Sequence, residues 1–343
     1  MITTDVAKAY YQVPLHKDSQ PYCAWQHNGK WIIPTVLIFG LSIAPFIFTK
    51  IMRVVLTFAR AMYIHGTNCI DDNLWAEIPE RVEEVKSIVQ LIFGRLGWQF
   101  NEKCEFTPNT TVLYNGMWID SKRFEVRATD QKIEAARRLA WSIWYAARDG
   151  KRVKVLNLQR LAGRLQSMRL ALEGVAVWTR GLYADIQQAI SDSMTKGKSA
   201  KYASIHLREA ALADINFWAF RLGKQNGLPI NDHGNEVIVS VQISSDASDV
   251  GYGAHMGTQE SKISGELPKE VLSKSSKERE IKGVMIAADR LTQQLKGKRV
   301  RICMDSYPAI RNLVNGGGTV PELNEMVKEW WVWCKINKVT PLY

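Results

Sequence analysis

The sequence predicts an α+β protein in which a β-rich N-terminal part precedes a helical region and a C-terminal α/β domain. An Asn-Gly pair at residues 28–29 lies between two apolar stretches, which strongly indicates a two-residue β-hairpin. Apolar residues recur at helical spacing between residues 80 and 96. Residues 237–243 (VIVSVQI) form a β-branched run, followed by alternating helix and strand signals.

The N-terminal elements follow from local patterns. The hairpin is expected to join residues 22–26 and 30–33, and helices are expected over residues 44–61 and 80–96, the second ending at Gly97. Alternating polar and apolar residues predict a strand through residues 112–119.

The middle of the chain reads as helical and densely basic over residues 121–180. A further helix is expected at residues 207–222, with linkers near 187–205 and 224–235. Residues 31–48 are uncharged and about long enough to suggest a membrane span. Prolines and a glycine interrupt them, so we predict no membrane association.

Composition narrows the class of protein. The chain has 343 residues, is 46% hydrophobic and carries a net charge of +11. This length predicts two or three domains with real cores, and the basic balance favours a polyanionic partner. The five cysteines are odd in number and lack a CxxC pair, which argues against a disulfide framework or a zinc site. Without a secretory signal we expect an intracellular protein, in the cytoplasm or the nucleus.

Three acidic residues predict metal chemistry. Asp71 and Asp72 are adjacent, and Asp5 lies 66 residues before Asp71. A nucleotidyl transferase uses acids from neighbouring strands to hold two Mg²⁺ ions, roughly 3.5–4 Å apart. Tyr10 follows Asp5 by five residues, and its ring could pack beneath a sugar and exclude a 2′-hydroxyl. Taken alone, Asp5 would be better explained as an exposed strand residue beside a core tyrosine.

Five segments, in order, resemble the motifs of retroelement reverse transcriptases. They are residues 5–15 (DVAKAYYQVPL) for motif A, 39–50 (FGLSIAPFIFTK) for motif B, 69–72 (CIDD) for the YxDD box of motif C, 96–103 (LGWQFNEK) with Pro108 for motif D, and 114–119 (YNGMWI) for motif E. Cys69 stands where the YxDD box usually has an aromatic residue.

This resemblance implies roles for individual residues. It makes the acids at positions 5, 71 and 72 catalytic ligands of Mg²⁺, with Mn²⁺ as an alternative ion. Lys103 would lie near the phosphates of the incoming nucleotide and protonate the pyrophosphate leaving group. Nucleotide contacts are implied for Tyr10, Phe39 and Gly40.

A basic helix carries a further resemblance. Asn157 is expected to cap a helix whose buried stripe comprises Leu158, Leu161, Ala162, Leu165, Met168 and Leu172. Residues 161–166 (LAGRLQ) resemble the thumb helix of retroviral-type enzymes, which follows the minor groove of the duplex. Nucleic-acid contacts are therefore implied for Gln159, Gly163, Arg164 and Ser167. The alternative is an ordinary amphipathic helix with solvated arginines.

The C-terminal part contains a second set of spaced acids. Asp246 ends a predicted strand before a glycine-rich turn, Glu280 lies in a predicted helix, and Asp305 follows another strand. Such acids suit a second two-metal site that hydrolyses a phosphodiester. The segment resembles the RNase H domain that trails reverse transcriptases, which implies that Asp246, Glu280 and Asp305 are catalytic metal ligands. Glu278 is the less favoured alternative to Glu280.

The resemblance thus implies a reverse-transcriptase palm with partial fingers (1–120), a thumb-like helical region (121–186), a connection (187–235) and an RNase H-like domain (236–343). An RNA-directed DNA polymerase is implied, with an RNA template, a DNA primer and an RNA:DNA hybrid as partners. Residues 161–165 (LAGRL), 178–183 (WTRGLY) and 218–229, which end in NGLP, resemble the DIRS group of tyrosine-recombinase retroelements, with gypsy-type elements as the alternative.

The family pattern also leads us to expect a chain truncated at both ends. It begins at motif A, and it stops at a strand beyond which the family has its fourth RNase H acid. A non-catalytic nucleic-acid-binding remnant, or a domesticated protein, is the alternative function. An unrelated basic α/β protein is a third reading, and the oligomeric state stays open.

Overall fold

The computed structural model describes residues 1–197, 199, 202–230, 239–257 and 261–343. The chain divides into two compact units, residues 1–129 and residues 130–343. This boundary falls inside the segment expected to be thumb-like. The four predicted domain ranges stay predictions.

The first unit combines two helices with short strands. Its helices are α1 (Ala44–Ala61) and α2 (Val82–Arg95). Its strands are β1 (Ile2–Asp5), β2 (Trp25–His27), β3 (Lys30–Ile32), β4 (Gly66–Cys69), β5 (Asp72–Trp75), β6 (Thr111–Tyr114), β7 (Met117–Asp120) and β8 (Glu125–Ala128). Antiparallel pairing of β2 with β3 and the positions of α1 and α2 confirm the predicted hairpin and both predicted helices.

A three-stranded antiparallel sheet, in the order β1-β5-β4, forms the centre of this unit. The core around it includes Ile2, Phe48, Met52, Trp75 and Phe93, all fully buried. Each buried side chain of this size contributes roughly 1.5–3 kcal/mol. The core therefore fixes the strands whose ends carry the acids.

The strand expected through residues 112–119 is instead a hairpin of β6 and β7. Asn115 and Gly116 form its turn with φ angles of 50° and 68°. An Asn-Gly pair tolerates positive φ at both positions and favours such a turn. The single-strand prediction was wrong because the Asn-Gly turn reverses the chain in the middle of the alternating pattern. Strand β8 likewise interrupts the region predicted to be helical.

The second unit contains both helices and strands, which are interspersed along the chain. The helices are α3 (Asp130–Arg148), α4 (Val155–Ser167), α5 (Arg180–Thr195), α6 (Glu209–Arg221), α7 (Lys269–Leu272), α8 (Ser276–Arg290), α9 (Thr292–Leu295), α10 (Tyr307–Val314) and α11 (Pro321–Ile336). The strands are β9 (Val153–Lys154), β10 (Ser204–Ile205), β11 (Leu228–Pro229), β12 (Val241–Ala247), β13 (Gly251–Met256), β14 (Ser261–Glu266), β15 (Arg299–Cys303) and β16 (Thr340–Leu342).

Two helix predictions need correction. Asn157 lies inside the first turn of α4, because the helix begins at Val155 after the extended Lys154, so Asn157 is not its cap. The predicted linker near 187–205 begins inside α5, which continues to Thr195 because its apolar face is buried. All six members of the predicted stripe are buried, but only Leu158, Leu161, Ala162 and Leu165 lie in α4. The helix ends at Ser167, so Met168 and Leu172 are buried beyond its end.

A mixed five-stranded sheet, in the order β14-β13-β12-β15-β16, forms the C-terminal part of the second unit. Strand β12 is antiparallel to β13 and parallel to β15. Helix α8 approaches the sheet closely at Gly283, where a Cβ would lie 3.2 Å from Cβ of Tyr252. The predicted α/β character is confirmed, although residues 237–238 of the predicted β-branched run lie outside the described residues.

A buried ion pair joins α6 to α11. The Nζ of Lys328 lies 3.0 Å from Oδ1 of Asp214, and both side chains are buried. The other Asp214 oxygen accepts the N–H of Leu182, in α5, at 3.1 Å. Burial raises the pKa of Asp214 to about 6, against the opposing effect of Lys328. This network fastens three helices of the second unit together.

Among the residues that the structure describes, no helix combines the length and the apolar character needed to cross a bilayer. The uncharged segment 31–48 divides between β3, an irregular stretch and the first turn of α1.

Candidate metal centres

The first acid cluster comprises Asp5, Asp71 and Asp72. Antiparallel pairing of β1 with β5 sets Asp5 opposite Asp72. Asp71 lies in the β4–β5 turn, and its carbonyl accepts the N–H of Val6 at 3.1 Å. In this turn Ile70 has a φ of 57°. Strand pairing therefore brings together acids that are far apart in sequence.

Buried polar contacts hold this sheet in register. Asn73 is fully buried, and its Nδ2 donates to the carbonyl oxygens of Thr4 (3.3 Å) and Asp71 (3.1 Å). The indole N–H of Trp75 donates to Oγ1 of Thr4 at 3.0 Å. Sequence analysis missed Asn73. Its only signal is its place directly after the two aspartates.

Mutual repulsion characterises the first cluster. Burial, then the charges of Asp71 and Asp72, raise the pKa of Asp5. Burial and the charge of Asp71 raise the pKa of Asp72. The charge of Lys103 opposes both pKa shifts. Carboxylates held together in this way favour a cation beside them.

The segment that carries Lys103 is fastened to the end of β1. The N–H of Asn101 donates to the carbonyl of Asp5 at 2.8 Å, and the N–H of Asp5 donates to Sγ of Cys104 at 3.1 Å. Sequence analysis missed Asn101 and Cys104, because contacts of a non-strand segment leave no periodic pattern.

The three residues expected to contact a nucleotide lie close together. The ring of Tyr10 is buried, 4.8 Å from the ring of Phe39 and 5.7 Å from that of Phe48. Burial, then the charge of Asp71, raise the pKa of Tyr10, so its hydroxyl is within electrostatic reach of the cluster. Phe39 is 62% exposed, and Gly40 next to it has a φ of +95°, which favours glycine.

The hairpin of β6 and β7 approaches the same acids. Nδ2 of Asn115 donates to Sγ of Cys69 at 3.7 Å. Burial first, with smaller contributions from Cys69 and Asp72, raises the pKa of Tyr114 to about 12. The segments that resemble motifs C and E therefore meet.

The second acid cluster comprises Asp246, Glu280 and Asp305. Parallel pairing of β12 with β15 sets Ser244 opposite Cys303, so the two aspartates follow at the same end of the sheet. One carboxylate oxygen from each of the three acids lies within 4.8 Å of the others. Among the described residues, only these side chains form a group of three or more His, Cys, Asp or Glu at that spacing. The carboxylate oxygens of Asp5, Asp71 and Asp72 do not come this close to one another.

Glu280 is the buried member of the second cluster, only 2% exposed between two exposed aspartates. Its Oε1 accepts the N–H of Ala247 at 3.2 Å, whereas its buried Oε2 has no hydrogen-bond partner. Burial, then the charges of Asp305 and Asp246, raise the pKa of Glu280 to about 7. A divalent cation fits this donor set, because it accepts carboxylate oxygens and offsets their repulsion.

The neighbouring Glu278 serves a different purpose. Ser275 caps α8, and its N–H and hydroxyl donate to Oε2 of Glu278 at 3.1 and 2.6 Å. Burial raises the pKa of Glu278, but the stronger combined effect of Ser275 and nearby lysines lowers it. This capping box directs Glu278 to the helix start and leaves Glu280 at the cluster.

The predicted nucleic-acid face of α4 lies opposite its buried stripe. All four of its members are exposed, namely Gln159, Gly163, Arg164 and Ser167. The Arg164 guanidinium also donates to the carbonyl of Ala135 in α3. The side chain of Arg164 is therefore anchored to the neighbouring helix.

Comparisons with known proteins identify a fold. No known family matches the sequence, and no curated protein matches it. The whole chain aligns with 56% of a foamy viral protease-reverse transcriptase in complex with double-stranded DNA, with a TM-score of 0.53 and 14% identity. It aligns with 43% of a foamy viral protease-reverse transcriptase in complex with an RNA/DNA hybrid, with a TM-score of 0.56 and 14% identity. It also aligns with 67% of the foamy viral protease-reverse transcriptase in another complex with double-stranded DNA, with a TM-score of 0.51 and 15% identity.

The chain therefore has a mixed α/β, reverse-transcriptase-like fold. In the first two of these structures it spans about half of the matched protein's length.

Proposed function

We propose that the chain is a metal-dependent nucleotidyl transferase of the reverse-transcriptase type, with a second, RNase H-like centre that hydrolyses a phosphodiester. One observation carries this proposal. A chain with a reverse-transcriptase-like fold carries two acid clusters, each of which brings together residues distant in sequence. Because identity is only 14%, the side chains supply the argument for chemistry.

In the polymerase-like centre, Asp5, Asp71 and Asp72 are the metal ligands. Bound Mg²⁺ ions, or Mn²⁺ in their place, would neutralise the attacking and leaving oxygens of a phosphoryl transfer. Lys103 donates a proton to the pyrophosphate leaving group. Its electrostatic effect on Asp5 and Asp72 supports this position.

The aromatic pair beside this centre selects the sugar. Tyr10 limits the space at the 2′ position, with Phe39 and Gly40 beside the nucleotide. The buried, ring-packed position of Tyr10 supports a fixed steric barrier.

In the hydrolytic centre, Asp246, Glu280 and Asp305 hold the ions. The unpartnered oxygen of Glu280 supports this assignment.

The partners follow from the same proposal. An RNA template, a DNA primer and their hybrid lie along the exposed face of α4, at Gln159, Gly163, Arg164 and Ser167. The matched viral proteins are described in complexes with double-stranded DNA and an RNA/DNA hybrid. Palm, thumb-like, connection and RNase H-like segments, and an origin in a DIRS-like or gypsy-type element, belong to this proposal.

Primer extension tests the polymerase assignment. The chain and its Asp71→Asn variant are compared for Mg²⁺-dependent extension of a DNA primer on an RNA template. Asp18→Asn is the matched control, because Asp18 is an exposed acid in the same unit. We expect extension by the parent chain and by Asp18→Asn, with loss in Asp71→Asn. Equal extension by all three would refute the role of Asp71.

A non-catalytic nucleic-acid-binding protein is the second candidate. Its support is that the oxygens of Asp5, Asp71 and Asp72 do not converge within 4.8 Å, unlike those of the second cluster. This candidate predicts hybrid binding with a steep salt dependence and no extension. Binding would then survive Asp71→Asn unchanged. An unrelated protein would bind no hybrid even at low salt.

A further inference from the structure

Four aromatic rings form a surface cluster on α3 and α6, with none of the acids of either cluster among its members. Phe220 lies with its ring centroid 4.5 Å from that of Trp141 and 5.1 Å from that of Trp144. Tyr145 lies 5.3 Å from Trp141 and 5.1 Å from Trp144. The four rings therefore make one continuous aromatic surface.

Two of the four rings are exposed to solvent, and Trp141 and Trp144 are partly buried. Tyr145 is 52% exposed and Phe220 is 49% exposed. Ala140 and Ile143, from the same helix, are buried. Contiguous exposed aromatic surface of this kind marks an interaction site more often than isolated apolar side chains do.

A positive charge completes the surface. The guanidinium of Arg148 lies 5.3 Å from the centroid of the Trp144 ring, one helical turn further on. In the described part of the chain, no carboxylate lies within 4.0 Å of Arg148. Two other arginines of α3 contrast with it, since Arg137 and Arg138 both pair with Glu134.

The surrounding charge favours one kind of occupant. Residues 130–169 contain ten lysines and arginines against three acidic residues, a net +7 of the chain's +11. Such a region attracts a polyanion and disfavours a basic protein surface. Exposed aromatic rings stack on bases, and only unpaired bases expose their faces.

We propose that the surface formed by Trp141, Trp144, Tyr145, Arg148 and Phe220 is a stacking site for single-stranded nucleic acid, either RNA or DNA. Bases stack on the exposed rings of Tyr145 and Phe220, and Arg148 contacts a phosphate. The inference rests on the proposed function, because the ligand is again a nucleic acid. The site is separate from the face of α4 that is assigned to the hybrid.

Fluorescence anisotropy with two labelled probes tests the site. The probes are a twenty-nucleotide oligothymidylate and an RNA:DNA hybrid. We expect Tyr145→Ala and Phe220→Ala each to weaken oligothymidylate binding by about fivefold to a hundredfold, since stacking contributes roughly 1–3 kcal/mol per base. Tyr145→Phe keeps the ring and should retain the affinity of the parent chain. Hybrid binding should change by less than about twofold in all three.

Matched controls separate stacking from general effects. Tyr22→Ala removes an exposed tyrosine with no ring contact in the described residues, and it should leave both affinities unchanged. Arg148→Gln should reduce the salt dependence of oligothymidylate binding by about one phosphate contact. Arg311→Gln removes an arginine that lies over another aromatic ring, 5.8 Å from the centroid of Tyr307 on α10, and should not reduce this salt dependence.

The outcomes distinguish this inference from the proposed function. Loss of hybrid binding in Gln159→Ala, with oligothymidylate binding intact, supports two separate sites. Normal oligothymidylate binding by Tyr145→Ala and Phe220→Ala would overturn the stacking site and leave the proposed function standing. Failure of the parent chain to bind either probe would overturn both. A concentration-dependent dimer that Phe220→Ala abolishes, without effect on oligothymidylate affinity, would instead assign the surface to a second copy.

Photocrosslinking provides a readout that does not depend on any variant. An oligonucleotide carrying 5-iodouridine or its deoxy counterpart crosslinks efficiently to aromatic rings that stack on it. We expect mass spectrometry to find the adduct on Trp141, Trp144, Tyr145 or Phe220. Adducts confined to other parts of the chain would contradict the proposal.

Discussion

The two acid clusters differ in how the chain assembles them. The first depends on two strands and a turn, and it includes adjacent residues, Asp71 and Asp72. Asp71 lies in the β4–β5 turn and Asp72 begins β5, so the backbone conformation of the turn sets the direction of the two side chains. The second adds an acid from a helix, Glu280, to one acid from each of two parallel strands. In the second cluster one carboxylate oxygen from each acid lies within 4.8 Å of the others, whereas the oxygens of the first cluster do not come this close.

This difference shows what a third element contributes to a metal centre. Strand pairing alone fixes backbones, so in the first cluster the buried Asn73 and Trp75 secure the strands rather than the carboxylates. In the second cluster the helix delivers a buried carboxylate with one oxygen unpartnered. We therefore expect the second cluster to bind a divalent cation more tightly.

The largest expected effect is the loss of stability when a buried acid, Asp214, loses the cation that it pairs with. Asp214 has Lys328 as its cation, so Lys328→Met should leave a buried charge uncompensated and destabilise the protein by about 3–5 kcal/mol. Urea denaturation measures this. Lys335→Met is the control, since Lys335 pairs with Glu173 at the surface and should matter by less than about 1 kcal/mol. Equal effects would show that Asp214 does not rely on its partner.

Glu280 lacks such a permanent cation, and pH should reveal this in metal-free buffer. Its pKa of about 7 in the folded protein exceeds the ordinary glutamate value, so the folded state holds the proton over a range where the unfolded state has lost it. Stability should therefore fall as pH rises from about 4.5 to 7, by up to about 3 kcal/mol.

Urea denaturation at both ends of this pH range, with chelator present, measures the slope. Glu280→Gln cannot titrate and should remove this part of the slope. A Glu280→Gln profile parallel to that of the parent chain would contradict the assigned environment of Glu280.

Divalent cations should stabilise the second cluster by mass action. At a Mn²⁺ concentration a hundred times the Kd, folding gains about 2.7 kcal/mol, visible as a higher Tm. Asp246→Asn and Asp305→Asn should abolish the gain, whereas Asp72→Asn should preserve most of it. If Asp72→Asn removed as much as Asp246→Asn, the stronger site would be the first cluster.

The smallest effect concerns the backbone of the first cluster. A Cβ at Gly66 would lie 2.5 Å from the ring of Trp75, so Gly66→Ala should force the strands apart and cost about 1–3 kcal/mol. Gly94→Ala in α2 has open space around its Cβ and should be neutral or slightly stabilising. Thermal unfolding of both variants makes the comparison. An unaffected Gly66→Ala would mean that the sheet tolerates a shift in this register.

The sequence predicted which acids lie near one another, but it did not predict the distances between their carboxylate oxygens. The motif order grouped Asp5 with Asp71 and Asp72, and strand pairing sets Asp5 opposite Asp72. Side-chain direction at a turn depends on φ angles, such as that of Ile70, which spacing does not encode. The sequence favours Glu280 over Glu278, and the contacts of Glu278 with Ser275 give the physical reason for the difference between them.

The solvent exposure of the aromatic side chains could not be predicted from the sequence pattern. Aromatic residues at positions 141, 144 and 145 have the spacing of an ordinary buried helical stripe. Whether such a stripe is covered depends on the neighbouring helix. Here α6 presents Phe220 as a partly exposed ring rather than a covering layer.

The cap of α8 also sets the angular phase of the helix. Ser275 fixes the residue at which the helix begins, and each following residue is rotated by about 100° around the helix axis. Inserting one residue between the cap and Glu280 would rotate that carboxylate away from Asp246 while leaving the cap intact. The serine thus determines the direction of an acid five positions later, without touching it.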